Sequence, residues 1–484
     1  MSSDPRRVAV VGYGMAGARF AEEVRRHDPD ARRVQLTVFG AEPHRAYNRV
    51  LLSAALAGGL DPDDLYLHGP DWALRHQVDV RCNVGVRAVE PAGRHLVLDD
   101  GTVVGYDDLV LATGSQPWLP PVDGLTTAYG ELAGGVTAFR DLDDCRALRA
   151  AAGQGRTYAV LGGGLLGLEA ARGLAASGAD VTVVHPVGHL MERQLDVTAG
   201  RLLHDQLTGL GVQVRLSVTA TGWLPGHGLE LSDGSWLGAD SVVVSAGVRA
   251  RTSLARRARL AVERGVVVDD RLTTSDPHIH AIGDCAQHRG ETGALVQPAW
   301  EQAAVLAARL TGADPAATYE GTPVVTRLKA SNLDLTSLGE AHADNDEHTE
   351  AVRLEDPRRG RYGKLVLRED RVVGAIMLGL PDAAANIVRL YDAGDPAPAD
   401  RMALLLGRAM PAEVAPALPA PKEVVCHCNT VTMGRLTEAW QAGACTTADL
   451  TTATRATTGC GGCRSQVEAI TVALEEAERK EAAA

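Results

Sequence analysis

The feature that most restricts the fold of this chain is a strand, glycine-rich loop and helix pattern that occurs twice. Each copy follows a short apolar segment, Arg7–Gly12 or Thr157–Gly162, and precedes apolar residues at helical spacing. The Gly-x-Gly-x-x-Gly loops contain Gly12, Gly14 and Gly17 in the first copy and Gly162, Gly164 and Gly167 in the second. In such a loop the first glycine permits a tight turn, the second lets the backbone approach a pyrophosphate, and the third lets the helix pack on the strand. The two copies predict two dinucleotide-binding domains in an α/β chain.

Composition and charge restrict the class of protein further. The chain has 484 residues, of which 45% are apolar, and this length and composition favour an α/β protein of several domains. Its 48 basic and 61 acidic residues give a net charge of −13, which disfavours binding to nucleic acid or anionic membranes. No run of 18 apolar residues is present, and the N-terminal segment lacks the apolar core of a signal peptide. We expect a cytoplasmic protein, in which paired cysteines bind metal or carry out redox chemistry more often than they form disulfides.

An acidic residue after the second strand of each unit would hold the ribose of the dinucleotide. In the first unit the candidate is Glu42, which lies further from the glycines than the usual spacing of about 20 residues, and a solvated loop glutamate is the alternative. In the second unit Glu169 lies just after the loop, and His185 stands where the acid is expected. An acid there favours NADH, whereas a neutral or positive residue tolerates the extra phosphate of NADPH. His185 leaves that choice open.

Four of the eight cysteines form two close pairs near the C-terminus. The pairs are Cys426 with Cys428 and, after 31 residues, Cys460 with Cys463. Four thiolates suit a structural zinc ion or a [2Fe–2S] cluster, although Cys-x-Cys is tighter than the usual zinc spacing. The intervening segment is predicted to be helical, and Cys445 within it is expected to be a core residue rather than a ligand. The pattern resembles bacterioferritin-associated-ferredoxin-like domains over Val424–Val467, which implies that the four cysteines hold a [2Fe–2S] cluster.

Three short motifs outside the loops carry a second resemblance. They are Thr113-Gly114, Ala246-Gly247 and Ile282-Gly283-Asp284, and they resemble the signatures of the two-dinucleotide flavoprotein reductases. The resemblance implies that the first unit binds FAD, with Thr113, Gly114, Gly283 and Asp284 in its site, and that the second binds NAD(P)H. It also implies that Gly283 and Asp284 contact the ribityl and phosphate part of FAD. Pro298–Gln302 would begin the helix beneath the isoalloxazine ring.

The resemblance and the order of segments predict five parts. An FAD-binding domain (1–125 plus 275–315) is interrupted by an NAD(P)H-binding domain (126–274), both Rossmann-like and of the glutathione-reductase type. A small α+β domain (320–405), a Pro/Ala-rich linker (406–421) and a small helical [2Fe–2S] domain (422–472) follow.

Two longer segments narrow the resemblance. Ala46–Ser53 and Leu190–Asp196 look like the flavoprotein half of bacterial assimilatory NAD(P)H nitrite reductase large subunits. This implies that Arg49 lies near the FAD pyrophosphate. Related ferredoxin and rubredoxin reductases often carry a lysine where this chain has Ala54, so a lysine beside the flavin is not expected here. A helix cap with an exposed polar face is the alternative interpretation of Met191–Asp196.

The remaining cysteines bear on how electrons leave the flavin. A dithiol flavoenzyme needs a close cysteine pair early in its FAD domain, whereas Cys82, Cys145 and Cys285 are isolated in sequence. We expect these three to be packing residues. Electrons are therefore not expected to leave through a disulfide.

Together these patterns predict an electron-transfer flavoprotein that passes electrons from NAD(P)H through FAD and a [2Fe–2S] cluster to another protein. Complete nitrite reductases of the resembling kind continue into a sirohaem and [4Fe–4S] domain, and no cysteine follows Cys463 here. The predicted partner is therefore a separate catalytic subunit of an assimilatory nitrate or nitrite reductase, with a homodimer as a further option. Alternative acceptors are a ferredoxin, a rubredoxin or an oxygenase. An iron-sensing binding module and a thiol-dependent peroxidase or disulfide reductase are opposed by the intact glycine loops and the missing cysteines respectively.

Overall fold

The computed structural model describes residues 4–293, 295–328, 333–408, 418–426, 429, 431–457 and 463–482. Contacts between Cα atoms divide the chain into two compact units. Unit 1 comprises Met1–Arg49, Asp61–Trp118 and Val248–Thr322, and unit 2 comprises Val50–Leu60, Leu119–Gly247 and Pro323–Ala484. Unit 1 is discontinuous in sequence. The predicted division into five parts, including a discontinuous FAD-binding domain, stays a prediction.

The first two thirds of the chain contain both helices and strands. Up to residue 118 they are β1 (Arg6–Val11), α1 (Met15–His27), β2 (Val34–Gly40), α2 (Leu52–Leu56), α3 (Trp72–Arg75), β3 (Val78–Cys82), β4 (Val86–Glu90), β5 (His95–Leu98), β6 (Val103–Gly105), β7 (Asp108–Leu111) and β8 (Ser115–Pro117). Residues 119–247 form β9 (Val136–Ala138), α4 (Leu142–Ala151), β10 (Thr157–Leu161), α5 (Leu165–Ala176), β11 (Asp180–His185), α6 (Val197–Gly209), β12 (Val212–Leu216), β13 (Ala220–Leu224), β14 (Gly228–Leu231), β15 (Trp236–Leu237) and β16 (Ser241–Val244). Residues 248–322 form β17 (Val248–Ala250), α7 (Ser253–Arg257), β18 (Val266–Val268), β19 (Ile279–Ala281), β20 (Ala286–His288), β21 (Glu291–Thr292) and α8 (Val296–Leu310).

The last third is richer in antiparallel strands. Its described elements are β22 (Val325–Leu328), β23 (Leu335–Gly339), β24 (Glu350–Asp356), β25 (Arg361–Arg368), β26 (Arg371–Leu378), α9 (Pro381–Ala393), α10 (Arg401–Leu405), β27 (Val424–Cys426), β28 (Val431–Thr432), α11 (Met433–Gln441), α12 (Thr447–Thr454) and α13 (Arg464–Ala482). None of the described helices is both long enough and apolar enough to cross a membrane.

Unit 1 is built on a five-stranded sheet in the order β19-β7-β1-β2-β3. All four strand pairs are parallel, and α1 and α8 pack against each other beside the sheet. Parallel strands of this kind are buried on both faces, so they read as continuous apolar runs rather than as alternating ones. Val8, Val10 and Leu109 are accordingly buried in one core. The predicted first strand and helix are confirmed, with β1 one residue earlier than expected.

Unit 2 repeats this design in its first part. A second parallel sheet has the order β12-β11-β10-β16-β9, and β10 and β11 match the predicted strands. A short antiparallel sheet, β13-β14-β15, lies beside it. Apolar residues from both sheets, such as Leu161, Val244 and Trp223, share one core. The predicted second unit is therefore present as a strand, glycine loop and helix on its own sheet.

A separate antiparallel sheet of unit 2 has the order β22-β23-β26-β25-β24 and carries α9 on one face. This is the β-rich segment that the sequence indicated. Its strands contact the segment before α6: the Tyr362 hydroxyl donates to the Asp196 carboxylate, and Ser337 Oγ donates to the Gln194 carbonyl at 2.8 Å. Asp196 also caps α6 by accepting from the Ala199 amide at 2.9 Å, which agrees with the helix-cap interpretation of Met191–Asp196.

The C-terminal part has a small core of its own. Residues from β27, α11, α12 and α13 pack together around Leu436, Leu450 and Val467. The helices α11 and α12 confirm the helical prediction for the segment between the two cysteine pairs. The prediction that Cys445 is a core residue is wrong, because Cys445 is exposed in the turn between these helices. Gly443 at φ +101° follows the end of α11, and Thr446 caps α12, so the turn that contains Cys445 faces outward.

Candidate functional site

The two glycine loops have nearly the same geometry. Gly12 and Gly162 adopt φ +119° and +121°, and a Cβ on either would lie 2.1 or 2.2 Å from a backbone oxygen of the neighbouring strand end. A Cβ on Gly17 or Gly167 would lie 2.0 or 2.1 Å from the carbonyl oxygen of the first glycine of its loop. No side chain fits at these four positions without a backbone shift. The predicted roles of the first and third glycines are therefore supported by the packing in both units.

The middle glycines differ from the others because the space in front of them is open. A Cβ on Gly14 would meet nothing closer than Arg49 Nε at 3.9 Å, and a Cβ on Gly164 would meet no atom within 4 Å. Gly14 and Gly164 are the N-caps of α1 and α5, and neither helix has a side-chain cap. Backbone N–H groups at such a helix start bind phosphate oxygens well. Both loops therefore fit the pyrophosphate of a dinucleotide.

Glu42 belongs to a polar cluster at the end of β2. Its carboxylate accepts a hydrogen bond from the Tyr47 hydroxyl at 2.7 Å and another from the Arg49 guanidinium, which stacks 4.7 Å above the Tyr47 ring. Burial raises the pKa of Glu42, but Arg49, Tyr47 and Arg251 together outweigh it, so the pKa falls below its ordinary value. The carboxylate is ionised and oriented at neutral pH. Contact of Glu42 with a ribose, and of Arg49 with a pyrophosphate, stay predictions.

Thr113 and Gly114 lie directly after β7. The Thr113 hydroxyl donates to the Arg251 carbonyl at 2.9 Å, and the Arg251 amide donates to the Gly114 carbonyl at 2.9 Å. Gly114 has φ +68°, a conformation that suits glycine. These bonds hold the turn after β7 against the segment that follows β17.

Gly283 and Asp284 form a turn after β19. Gly283 has φ +74°, and a Cβ there would come within 2.9 Å of the Ala16 Cβ, so the turn lies close to the start of α1. The Gly283 amide donates to the buried Gln302 Oε1 at 2.7 Å, and the Asp284 carboxylate accepts from the Ser115 hydroxyl at 2.7 Å. The structure thus brings Thr113, Gly114, Gly283, Asp284 and the first glycine loop together within unit 1.

Sequence reasoning missed Ser115, and it placed Gln302 in a helix beneath the flavin ring without assigning it the hydrogen bond to Gly283. Ser115 follows the Thr-Gly motif directly, and Gln302 lies on α8 in the segment Pro298–Gln302. Their bonds join residues 169 and 19 positions apart in the chain. The available signal for Gln302 was its position among apolar residues of a predicted helix. A glutamine on an apolar helix face is buried, and a buried amide needs a hydrogen-bond partner.

The isolated cysteines are packing residues, as predicted. Cys285 is fully buried, and its thiol donates to the carbonyls of Leu111 and Ile282 at 3.3 Å. Cys145 is buried, and its thiol donates to the Leu52 carbonyl at 3.4 Å. Burial raises the pKa of Cys145 to about 11 and also raises the pKa values of Cys285 and Cys82. Thiols of this kind stay protonated at neutral pH and are poor nucleophiles.

The second glycine loop lies beside His185, the last residue of β11. His185 Nδ1 accepts a hydrogen bond from the Gly163 amide at 3.1 Å. His185 Nε2 lies 3.2 Å from Glu192 Oε2. Burial lowers the pKa of His185, although Glu192 opposes this, so the ring is neutral at pH 7. Glu169 is buried on α5, and its contact with a nucleotide stays a prediction.

Two of the four predicted cluster ligands lie in the described part of the chain. Cys426, at the end of β27, and Cys463, just before α13, are buried in the same small core. Cys428 and Cys460 lie outside the described residues. The described residues alone contain no group of three His, Cys, Asp or Glu side chains that could hold a metal ion. Two buried thiols in one small core suit a thiolate-bound cluster, and the set of four ligands stays a prediction.

The parallel sheets and glycine loops define a two-dinucleotide flavoprotein, and comparison with protein families agrees. Residues 6–303 match the family described as "Pyridine nucleotide-disulphide oxidoreductase". The chain is also 35% identical to the rubredoxin-NAD(+) reductase of Alcanivorax borkumensis over 67% of this chain and 83% of that protein. Ferredoxin reductase from Rhodopseudomonas palustris superposes with a TM-score of 0.69 at 28% identity, covering 77% of this chain and 91% of that one. The chain belongs to the pyridine nucleotide-disulphide oxidoreductase family and binds FAD and NAD(P)H as cofactors.

Two further matches complete the description. Residues 324–391 match the "Rubredoxin NAD+ reductase C-terminal domain", and residues 424–471 match the "BFD-like [2Fe-2S] binding domain". The chain is therefore an FAD-dependent oxidoreductase with a [2Fe–2S]-binding domain.

The chain is also similar to curated proteins that are named for nitrite or nitrate reduction. The chain is 38% identical to "Nitrite reductase [NAD(P)H]" and 35% identical to "Assimilatory nitrate reductase electron transfer subunit", both of Bacillus subtilis (strain 168). Each similarity covers 96% of this chain but 57% and 59% of the two relatives. The chain thus spans less than two thirds of the length of these relatives.

Proposed function

We propose that this chain carries electrons from NAD(P)H, through FAD and a [2Fe–2S] cluster, to a catalytic centre that reduces nitrite or nitrate. The observation that carries the proposal is similarity that extends over 96% of the chain to relatives named for nitrite and nitrate reduction. The acceptor is proposed to be the catalytic subunit of an assimilatory nitrate or nitrite reductase. A second copy of the chain is a further proposed partner, which analytical ultracentrifugation tests.

The cofactors supply the redox chemistry: FAD, when bound, accepts a hydride from NAD(P)H and releases electrons singly to the [2Fe–2S] cluster. The residues of the chain bind and orient them. In the proposed FAD site the open loop at Gly14 and the start of α1 receive the pyrophosphate. The ionised Glu42 carboxylate would accept from a ribose hydroxyl, and Arg49, which donates to Glu42, would lie near the pyrophosphate.

Each of the three cofactors is proposed to be bound by its own set of residues. FAD is bound by Gly12, Gly14, Gly17, Glu42, Arg49, Thr113, Gly114, Gly283 and Asp284; NAD(P)H by Gly162, Gly164, Gly167 and Glu169; and the cluster by Cys426, Cys428, Cys460 and Cys463. The proposed FAD domain is 1–125 plus 275–315, the NAD(P)H domain 126–274, the α+β domain 320–405, the linker 406–421 and the cluster domain 422–472.

A genetic experiment with a biochemical counterpart tests the function. Deletion of the gene in its own organism is expected to abolish growth on nitrate or nitrite as the nitrogen source and to leave growth on ammonium unchanged. The wild-type gene restores growth, and a Cys463→Ser gene does not, although the purified variant still binds FAD and is still bleached by NAD(P)H under anaerobic conditions. Normal growth of the deletion strain on nitrate and nitrite would refute the proposal.

A second candidate function is the reduction of rubredoxin. The match of residues 324–391 to the C-terminal domain of rubredoxin NAD+ reductases favours it. The purified protein with NADH would then bleach the visible spectrum of added rubredoxin at a rate that saturates with rubredoxin concentration. Cys463→Ser discriminates between the two routes, since direct transfer from the flavin to rubredoxin would survive the loss of the cluster.

A further inference from the structure

The loop that follows β11 folds back onto the second glycine loop. Gly163, the second residue of that loop, donates its amide hydrogen to His185 Nδ1 at 3.1 Å. Its carbonyl accepts from the Met191 amide at 3.0 Å. A Cβ on Gly163 would lie 2.6 Å from Leu190 Cδ2 and 2.8 Å from His185 Cγ, so the two segments are in close contact. Residues 185–191 are thus attached directly to the backbone of the proposed dinucleotide loop.

The next residues of this loop are held from the other side. The Gln194 carbonyl accepts from Ser337 Oγ at 2.8 Å, and the Arg193 carbonyl accepts from His342 Nε2 at 3.0 Å. Met191 is buried and adopts φ +52°, an unusual conformation for a non-glycine residue. Glu192 follows Met191 directly, so its backbone position is defined by contacts on both sides.

The side chain of Glu192 is directed back toward the strand end. Its Oε2 lies 3.2 Å from His185 Nε2, and about a third of the side chain (32%) is exposed. His185 Nδ1 accepts from the Gly163 amide, so it carries no proton, and the proton of the neutral ring is on Nε2, facing Glu192. The neutral ring therefore contributes no positive charge beside the Glu192 carboxylate at pH 7.

This arrangement places the Glu192 carboxylate beside the end of β11, where the residue that contacts the ribose of a dinucleotide is expected. In this fold an acid at the end of the second strand accepts from the adenosine ribose, and His185 has replaced it. We infer that Glu192 takes over this role and makes the second loop selective for NADH over NADPH, with His185 as a positioning residue. The inference rests on the proposed binding of NAD(P)H at this loop. An ionised carboxylate accepts hydrogen bonds from the 2′-hydroxyl of NADH, whereas the 2′-phosphate of NADPH is repelled by it.

Direct binding of two non-redox ligands to the FAD-loaded protein tests the inference. Isothermal titration with ADP-ribose and with 2′-phospho-ADP-ribose measures the selectivity without electron transfer. Wild-type protein is expected to bind ADP-ribose about tenfold more tightly or better, since loss of a hydrogen bond to a charged group costs about tenfold or more in affinity. Glu192→Gln is expected to weaken ADP-ribose about tenfold and to bring the two affinities within about threefold of each other.

Two further variants distinguish the positioning of Glu192 by His185 from a general loss of stability. His185→Asn keeps an acceptor for the Gly163 amide but loses the group that faces Glu192, so selectivity is expected to fall while the melting temperature stays within a few degrees. Glu230→Gln, on β14 of the same unit and exposed, is the matched control and is expected to leave both affinities unchanged.

The refuting outcomes are distinct from those of the proposed function. Equal affinity of the wild type for the two ligands, or tighter binding of the 2′-phosphate with the neighbouring Arg193 as its partner, would overturn the inference. An unchanged ratio in Glu192→Gln would do the same. None of these results affects electron delivery to a nitrite or nitrate reductase, which the growth experiment measures separately.

Discussion

The three glycines of the first loop allow a prediction in which two neighbouring substitutions have opposite effects. Gly14→Ala introduces a Cβ whose nearest neighbour is 3.9 Å away, at a residue with φ −85°, so alanine fits. The variant loses only a favourable N-cap residue, and its free energy of unfolding should fall by about 1 kcal/mol or less. In FAD binding, however, the methyl group occupies the space where the pyrophosphate approaches the helix start. Loss of one charge-assisted hydrogen bond there costs about 1.5–3 kcal/mol, which corresponds to roughly 10–100-fold in affinity.

Gly17→Ala should reverse this pattern. Its Cβ would lie 2.0 Å from the Gly12 carbonyl oxygen and 3.5 Å from Val10 Cγ1, so α1 or the strand end must move. Overpacking of this kind costs about 1–3 kcal/mol or more, and a clash with backbone belongs at the upper end of that range. The Gly17→Ala apoprotein is therefore expected to be markedly less stable than the wild-type apoprotein.

The assay combines flavin absorbance of the purified variants, titration of the apoprotein with FAD, and urea denaturation of the apoprotein. Gly164→Ala is the matched control from the second loop: it should retain FAD and weaken NADH instead, because no atom lies within 4 Å of its Cβ position. Wild-type FAD affinity in Gly14→Ala would refute the assignment of the first loop. Equal destabilisation by Gly14→Ala and Gly17→Ala would refute the steric reasoning.

Three further predictions concern stability and the cluster. Tyr362→Phe removes the hydroxyl that donates to the Asp196 carboxylate and should lower the free energy of unfolding by about 1–3 kcal/mol, measured in urea with the exposed Tyr129→Phe as control; no change would contradict the role of this bond. Burial, followed by the Asp141 charge, raises the pKa of Asp144 to about 6, so the folded state binds this proton more tightly than the unfolded state. Stability from this group therefore increases as the pH falls from 6 toward 4; Asp144→Asn should remove that part of the pH dependence of the melting temperature, and an identical profile would contradict it. Cys463→Ser should lose most of the bound iron and sulfide, whereas Cys445→Ser, in an exposed turn, should keep them; iron retained in Cys463→Ser would exclude that thiol as a ligand.

Local sequence was informative wherever a conformation admits few residue types. The turn at Gly12 needs φ +119° and has a backbone oxygen 2.1 Å from the Cβ position, so glycine is required and its spacing reveals the fold. Gly162 is required for the same reason. Each of these turns ends an apolar segment, and these segments predicted a strand in each of the two parallel sheets. The cysteine spacing likewise predicted the C-terminal domain, because only certain spacings allow the thiolates to bind the same metal cluster.

Local sequence was less informative where burial or pairing depends on distant segments. Cys445 looked like a core residue because it lies in a helical region, but the turn at Gly443 directs it to solvent. The roles of Ser115 and Gln302 depend on Asp284 and Gly283, which reach them only after the sheet of unit 1 has formed.

The sequence by itself determined that this chain has two dinucleotide loops, no redox cysteine pair in its first 293 residues and a C-terminal pair of cysteine pairs. These are properties of residue type and spacing, which act over a few positions. Only the tertiary structure placed a carboxylate beside His185, because Glu192 Oε2 comes within 3.2 Å of His185 Nε2 through a loop attached to Gly163. Contacts of this kind depend on the path of the backbone in space, and no local pattern of residues encodes them.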